Sequence, residues 1–294
     1  PFGRRGFTLI EMLVVMGVIA ILLSLLIPGI EKAREQARQM GKLGNMRAIV
    51  DGVNRWAEDH RGKYPPAVAK LRNDDDNYPW RWAEPITMTT FPLLRELTHR
   101  AMSEIIKDPY IQDSKIMQCT FTPNPHPQME AAWEAGDSWS SPDYQVPGLL
   151  TPHYSSFGFY WNYKGALIIN GREYQPRLYE GPRSTSAKGM LVSCILLENS
   201  EWRCKGGMLS CQPFRESGSD GRKAGSSEFW WEYNGLLDID LMDIHLDAGY
   251  TDGHVEKFLP SKDLYLRIMN SPTNPNDYLR RYGKWYLPWR ALEK

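Results

Sequence analysis

Between Phe7 and Ile30 every residue but one is uncharged, and Leu, Ile, Val and Met dominate the run. Past Ile30 the apolar positions narrow to a stripe at Leu43, Met46, Val50, Val53 and Ala57, supported by Ile49 and Trp56. Arg47, Asp51, Arg55 and Glu58 fall on other faces. This spacing predicts a helix from Phe7 to about His60, apolar all round in its first half and one-sided in its second. A bend is expected at Pro28-Gly29, because proline lacks the N–H of the helical bond. The first half is long enough to cross a bilayer, which needs about 20 apolar residues. The second half is expected to pack on a sheet, with Asp51 and Arg55 spaced for an i, i+4 ion pair. Arg61-Gly62-Lys63-Tyr64-Pro65-Pro66 stops the helix, with glycine suited to a left-handed cap.

Residues 67–89 read as an irregular excursion, with an acidic run at 73–77 that reads as a solvated loop. A second helix is expected from Thr90 to Lys107, ended by Asp108-Pro109. The proline-rich stretch 108–152 reads as an insertion. Strands are expected at about Ser155–Tyr163, Ala166–Asn170 and Met190–Leu197, and a glycine-serine loop at 203–228. The alternation from Leu237 to Leu246 slips at Leu241-Met242, which suggests a bulge. Asp252-Gly253 between strand-like flanks predicts a two-residue type I′ hairpin turn.

The exception in the apolar run is Glu11, and a carboxylate inside hydrocarbon costs about 2.5 kcal/mol or more. It therefore needs a partner. Residues 3–16, Gly-Arg-Arg-Gly-Phe-Thr-Leu-Ile-Glu-Met-Leu-Val-Val-Met, closely resemble the N-terminus of type IV prepilins and type II secretion pseudopilins. The resemblance implies cleavage after Gly6, methylation of the new amine of Phe7, and a Glu11 carboxylate that neutralises the terminal amine of a neighbouring subunit during assembly. Pro28 also falls where the family carries a proline. The implied organisation is a leader at 1–6, a transmembrane or filament-core helix at 7–30, an amphipathic continuation at 31–60 and a head at 61–294. The implied fold is α+β and pilin-like, a long N-terminal helix packed on an antiparallel sheet with loop-rich insertions. A secretory signal peptide fits less well, because the run passes into a charged helical pattern without a small-residue cleavage site. An ordinary single-span anchor leaves Glu11 without a purpose.

Charge balance, 35 basic against 35 acidic residues, gives no general attraction to nucleic acid, so none is expected as a partner. Arg4 and Arg5 before the apolar run place that end in the cytoplasm and the head outside it. In that compartment Cys119, Cys194, Cys204 and Cys211 are disulfide candidates, with Cys204 and Cys211 the favoured pair across a flexible loop.

His245 followed by Asp252-Gly253-His254-Val255 is similar to the C-terminal signature of a large bacterial pilin-like family. Lys115–Cys119 and Tyr154–Asn162 look like further segments of it, although the spacer after His245 is shorter and no proline follows Cys119. His245, Asp247, Asp252 and His254 carry metal-donor groups, but turn formation and hydrogen bonding within the sheet explain them better, and no metal or cofactor is expected. No nucleophile elbow, zinc-protease motif, phosphate loop or dinucleotide fingerprint occurs, so a structural rather than an enzymatic role is expected. The resemblance implies a filament made of this chain, with related minor pilins, a prepilin peptidase, an assembly platform protein and an ATPase as partners. The competing reading is a membrane-anchored binding module or enzyme that uses a pilin-type leader.

Overall fold

The computed structural model describes residues 8–68, 87–89, 101–121, 129–137, 153–163, 166–174, 181–182, 189–199, 206–209, 223–224, 231–234, 246–260, 264–268 and 283–287. The chain divides into two compact units, Pro1–Gly41 and Lys42–Lys294. Helix α1 (Leu9–Asp59) continues through Pro28 as one helix. Two short helices follow, α2 (Met102–Ile106) and α3 (Met129–Ala135). The described strands are β1 (Thr87–Thr89), β2 (His153–Tyr154), β3 (Phe157–Phe159), β4 (Ala166–Ile169), β5 (Arg172–Tyr174), β6 (Met190–Cys194), β7 (Leu196–Asn199), β8 (Gly206–Leu209), β9 (Lys223–Ala224), β10 (Trp231–Asn234), β11 (Leu246–Tyr250), β12 (Val255–Phe258), β13 (Leu264–Ile268) and β14 (Gly283–Tyr286).

In the unit Pro1–Gly41 the described helix exposes its apolar residues on every side, from Leu9 at 81% to Leu25 at 75%. Such a surface is at home in lipid or among other helices, not in water. Among the described residues this is the helix long and apolar enough to cross a membrane.

In the unit Lys42–Lys294 the rest of α1 buries the expected stripe except Leu43, which is only half-buried. Met46, Ile49, Val50, Val53 and Ala57 are fully inaccessible, with Trp56 packed beside them. They join Leu191, Val192, Cys194, Leu246, Phe157, Phe159 and Trp161 in one core, where a buried aliphatic side chain contributes about 1.5–3 kcal/mol. The facing sheet has the order β12-β11-β6-β3 and is antiparallel throughout, giving the α+β pilin-like fold expected of the chain. All five residues of β6 and of β11 are buried, so neither strand shows polar-apolar alternation. The approach of α1 to β11 is close: a Cβ placed on Gly249 would stand 2.8 Å from Val50 Cγ2 and 2.9 Å from Val192 Cγ1. Gly249→Ala is therefore expected to destabilise the head by about 1–3 kcal/mol, read as a lower denaturation midpoint with an unchanged slope.

A second sheet of eight strands has the order β5-β4-β13-β14-β7-β8-β10-β9. The single strand expected at Met190–Leu197 is two strands: β6 ends at Cys194, and after Ile195 β7 joins the other sheet beside β14 and β8. The expected loop at 203–228 contains β8 and β9, whose backbone ladders to β10 do not depend on side-chain character.

Other expectations are corrected in detail. The helix end is left-handed at Arg61 (φ 59) before Gly62 (φ 75), and the Gly62 N–H donates to the Ala57 carbonyl (2.7 Å), a Schellman-type closure. Arg55 donates to the Tyr110 carbonyl (2.7 Å) instead of completing a helical pair with Asp51. Ala101 is extended (ψ 147), its N–H donating to Asp137 Oδ1 (2.6 Å), so the helix expected to run through it begins only at Met102. The expected start at Thr90 lies outside the described residues. The supposed insertion contributes Met117, Cys119, Phe121, Met129 and Trp133 to the core. The hairpin between β11 and β12 has a three-residue loop, Thr251-Asp252-Gly253, not a type I′ turn. Tyr250 N–H donates to His254 O (3.0 Å), Gly253 N–H donates to Tyr250 O (2.9 Å), and Gly253 has φ 88 while Asp252 has no positive φ. This is a type I turn closed by a left-handed glycine. The acidic run at 73–77 and the expected bulge at Leu241-Met242 lie outside the described residues.

Candidate functional site

Glu11 sits in the first turn of α1. Both the backbone N–H and the hydroxyl of Thr8 donate to its Oε2, each at 2.8 Å, and the Glu11 N–H donates back to Thr8 Oγ1 (3.3 Å). The arrangement is a capping box, a threonine followed three residues later by glutamate, each satisfying a backbone donor of the other. The pattern Thr-Leu-Ile-Glu at residues 8–11 is the sequence signal for it. A carboxylate here also complements the positive end of the helix dipole. Replacing Thr8 by Val, which keeps the shape and removes the hydroxyl, is expected to cost the first turn about 1 kcal/mol. Faster amide exchange at Ile10–Met12, with the head unchanged, is the measurement.

Around Glu11 the exposed surface is apolar without interruption from Leu9 to Ile27. Chemically this combines a large surface for lipid or helical neighbours with one negative charge at its tip. The Pro28 ring removes the helical bond to the Ser24 carbonyl, while Ser24 Oγ donates to the Ile21 carbonyl (2.7 Å). Gly6 and Phe7 lie outside the described residues.

The described residues of the C-terminal signature fall in two places. His245 lies outside the described residues. Asp247 is fully buried and forms an ion pair with the equally buried Lys42. Asp252 and His254 share a hydrogen bond at the exposed turn, where the imidazole stacks on Tyr250 at 4.5 Å. Among the described residues no cluster of three or more His, Cys, Asp or Glu side chains stands ready for a metal. Lys42 gave no signal in the sequence, because a lysine just before an apolar stripe reads as solvated.

The residues leaving α1 are tied to the hairpin and the aromatic strand. Tyr64 Oη donates to Asn54 Oδ1 (2.9 Å), and Asn54 Nδ2 donates to the Thr251 carbonyl (3.1 Å). Asn162 Nδ2 donates to the Tyr64 and Pro65 carbonyls (3.1 and 2.8 Å). Burial pushes the Tyr64 phenol well above its ordinary pKa and that of Tyr160 up to about 12, the latter partly offset by its bond with the Ser193 hydroxyl. Cys194 is disulfide-bonded, and Cys119 is buried in the core. Cys204 and Cys211 lie outside the described residues.

Residues 2–27 match the prokaryotic N-terminal methylation motif. Over 63 residues the chain is 43% identical to the ComG operon protein 3 homolog of Bacillus licheniformis, covering 21% of this chain and 65% of that protein. Over 72 residues it is 33% identical to competence protein ComGC of Bacillus subtilis, covering 24% of this chain and 72% of that protein. No solved structure matches. The motif match thus covers most of the apolar run capped by Thr8 and Glu11, and the likeness to ComGC extends over 72% of that protein. By its methylation motif, its relatives and its helix-on-sheet fold, the chain belongs to the type IV pilin-like proteins.

Proposed function

We propose that the chain is a structural subunit of a pilus-like or pseudopilus filament, assembled through α1, without an enzymatic role of its own. The observation that carries this reading is the fully exposed apolar surface of Leu9–Ile27 bearing one carboxylate at its start. In the membrane that surface faces lipid, and in a filament it faces the same surface of other copies. One apolar environment replaces another, so leaving the bilayer need not forfeit the hydrophobic stabilisation. Glu11 then adds what apolar contact lacks, a direction and a register, by meeting the amine exposed at Phe7 after cleavage. The head lies on the extracytoplasmic side, and related minor pilins, a prepilin peptidase, a platform protein and an ATPase complete the apparatus.

The test is reconstitution of the chain with a prepilin peptidase and assembly machinery, followed by shearing, sedimentation and electron microscopy. Fibres containing the chain, with a methylated Phe7 at the mature N-terminus by mass spectrometry, are the expected result. A processed chain that stays dispersed in the membrane under conditions that assemble a known pilin overturns the proposal in favour of an anchored monomer.

A further inference from the structure

Lys42 is the first buried residue of α1, and its ammonium forms an ion pair with Asp247 of β11, both side chains having no exposed surface. The Phe121 ring lies 5.3 Å from the ammonium nitrogen and gives it a cation-π contact on another side. A buried ion pair gains little over an apolar pair of equal volume, because desolvating two charges offsets their attraction. Net stability is therefore a poor reason for its presence, and the reason must lie in what it forbids.

Asn45, Arg55 and Trp56 donate to the carbonyls of Gln118, Tyr110 and Ile105, but between α1 and β11 itself the remaining contact is apolar. Val50 lies over Gly249, but Met46 or Val53 of the same stripe would fill that notch if α1 moved by about one turn, roughly 5.4 Å. Dispersion contacts among aliphatic side chains distinguish such placements weakly. The charge pair does not tolerate the shift, since a one-turn slip takes the buried Lys42 ammonium away from its counter-charge. The hydrogen bond from Asn54 to the Thr251 carbonyl lies at the other end of the contact and is only half-buried.

We infer that Lys42 and Asp247 are positioning residues that fix the register of α1 on the C-terminal hairpin, and so set which helical residue each head is held against. The inference concerns the head alone and stands whether or not the chain forms filaments.

The test uses the full chain in detergent micelles and three variants, Lys42→Met, Asp247→Leu and the double variant. The readouts are the thermal midpoint and methyl NMR of Val50, whose contact with Gly249 reports the register. Each single variant is expected to lower the midpoint, Asp247→Leu by roughly 10 °C or more because it leaves the Lys42 ammonium buried without a counter-charge. The double variant should recover to within about 3 °C of the parent, yet split the Val50 methyl signal into several sets with weakened Gly249 contacts. A double variant with one parental Val50 signal overturns the inference, because register then persists without the pair. Single variants with an unchanged midpoint, or a double variant as unstable as the singles, overturn it too, because the pair then acts in some other way.

Discussion

Replacing Glu11 by Ala is expected to abolish filament formation while the head keeps its parental unfolding midpoint. Removing one member of a buried charge pair at an interface costs about 2–5 kcal/mol, roughly 30-fold or more in association for each subunit contact. In a fibre that cost recurs at every step, so polymer should fall below detection in sheared fractions. Glu11→Gln separates the two tasks of this side chain. Glutamine also completes a capping box, so it keeps the bonds with Thr8 while losing the charge. We expect it to leave amide protection of the first turn unchanged and still to fail in assembly. Fibres at parental abundance from the Gln variant would refute the charge-pairing role and leave Glu11 as a helix cap.

Replacing Asp247 by Ala is expected to destabilise the head by about 3–5 kcal/mol, because the Lys42 ammonium then stays fully buried with only an aromatic ring beside it. In a unit of this size that corresponds to roughly 10 °C in the thermal midpoint. Lys42→Ala should cost a comparable amount, and the Ala/Ala double variant should cost clearly less than the sum of the two. A strictly additive double-mutant cycle would mean that the two charges do not interact. The comparison is run on the full chain in detergent, with tryptophan fluorescence as the signal.

Much of the architecture was legible because its signals are local. The switch from an all-round apolar run to a stripe at Leu43, Met46, Val50, Val53 and Ala57 marked both halves of α1, and all of these but the half-buried Leu43 are buried. Asp252-Gly253 marked the hairpin tip, although it did not settle the loop length. What stayed hidden depends on long-range partners. Lys42 is buried only because Asp247 arrives from far along the chain. Ala101 is extended only because the Asp137 carboxylate claims its N–H. The division between β6 and β7 at Ile195 leaves no mark in a run of apolar residues, since both sheets ask for the same residue types. At the candidate site Glu11 was legible as an anomaly, and the Thr8–Glu11 spacing carries the signal of its capping contact.

That contact changes the kinetics to be expected of the acid. Its hydrogen bonds come from one turn away on its own helix, so the solitary molecule has nothing urgent to satisfy. A membrane can then hold a standing reserve of quiescent copies. On the filament reading proposed above, the arriving amine meets Glu11 Oε1, which takes no bond from Thr8, so the acid enters the fibre already oriented by its own helix.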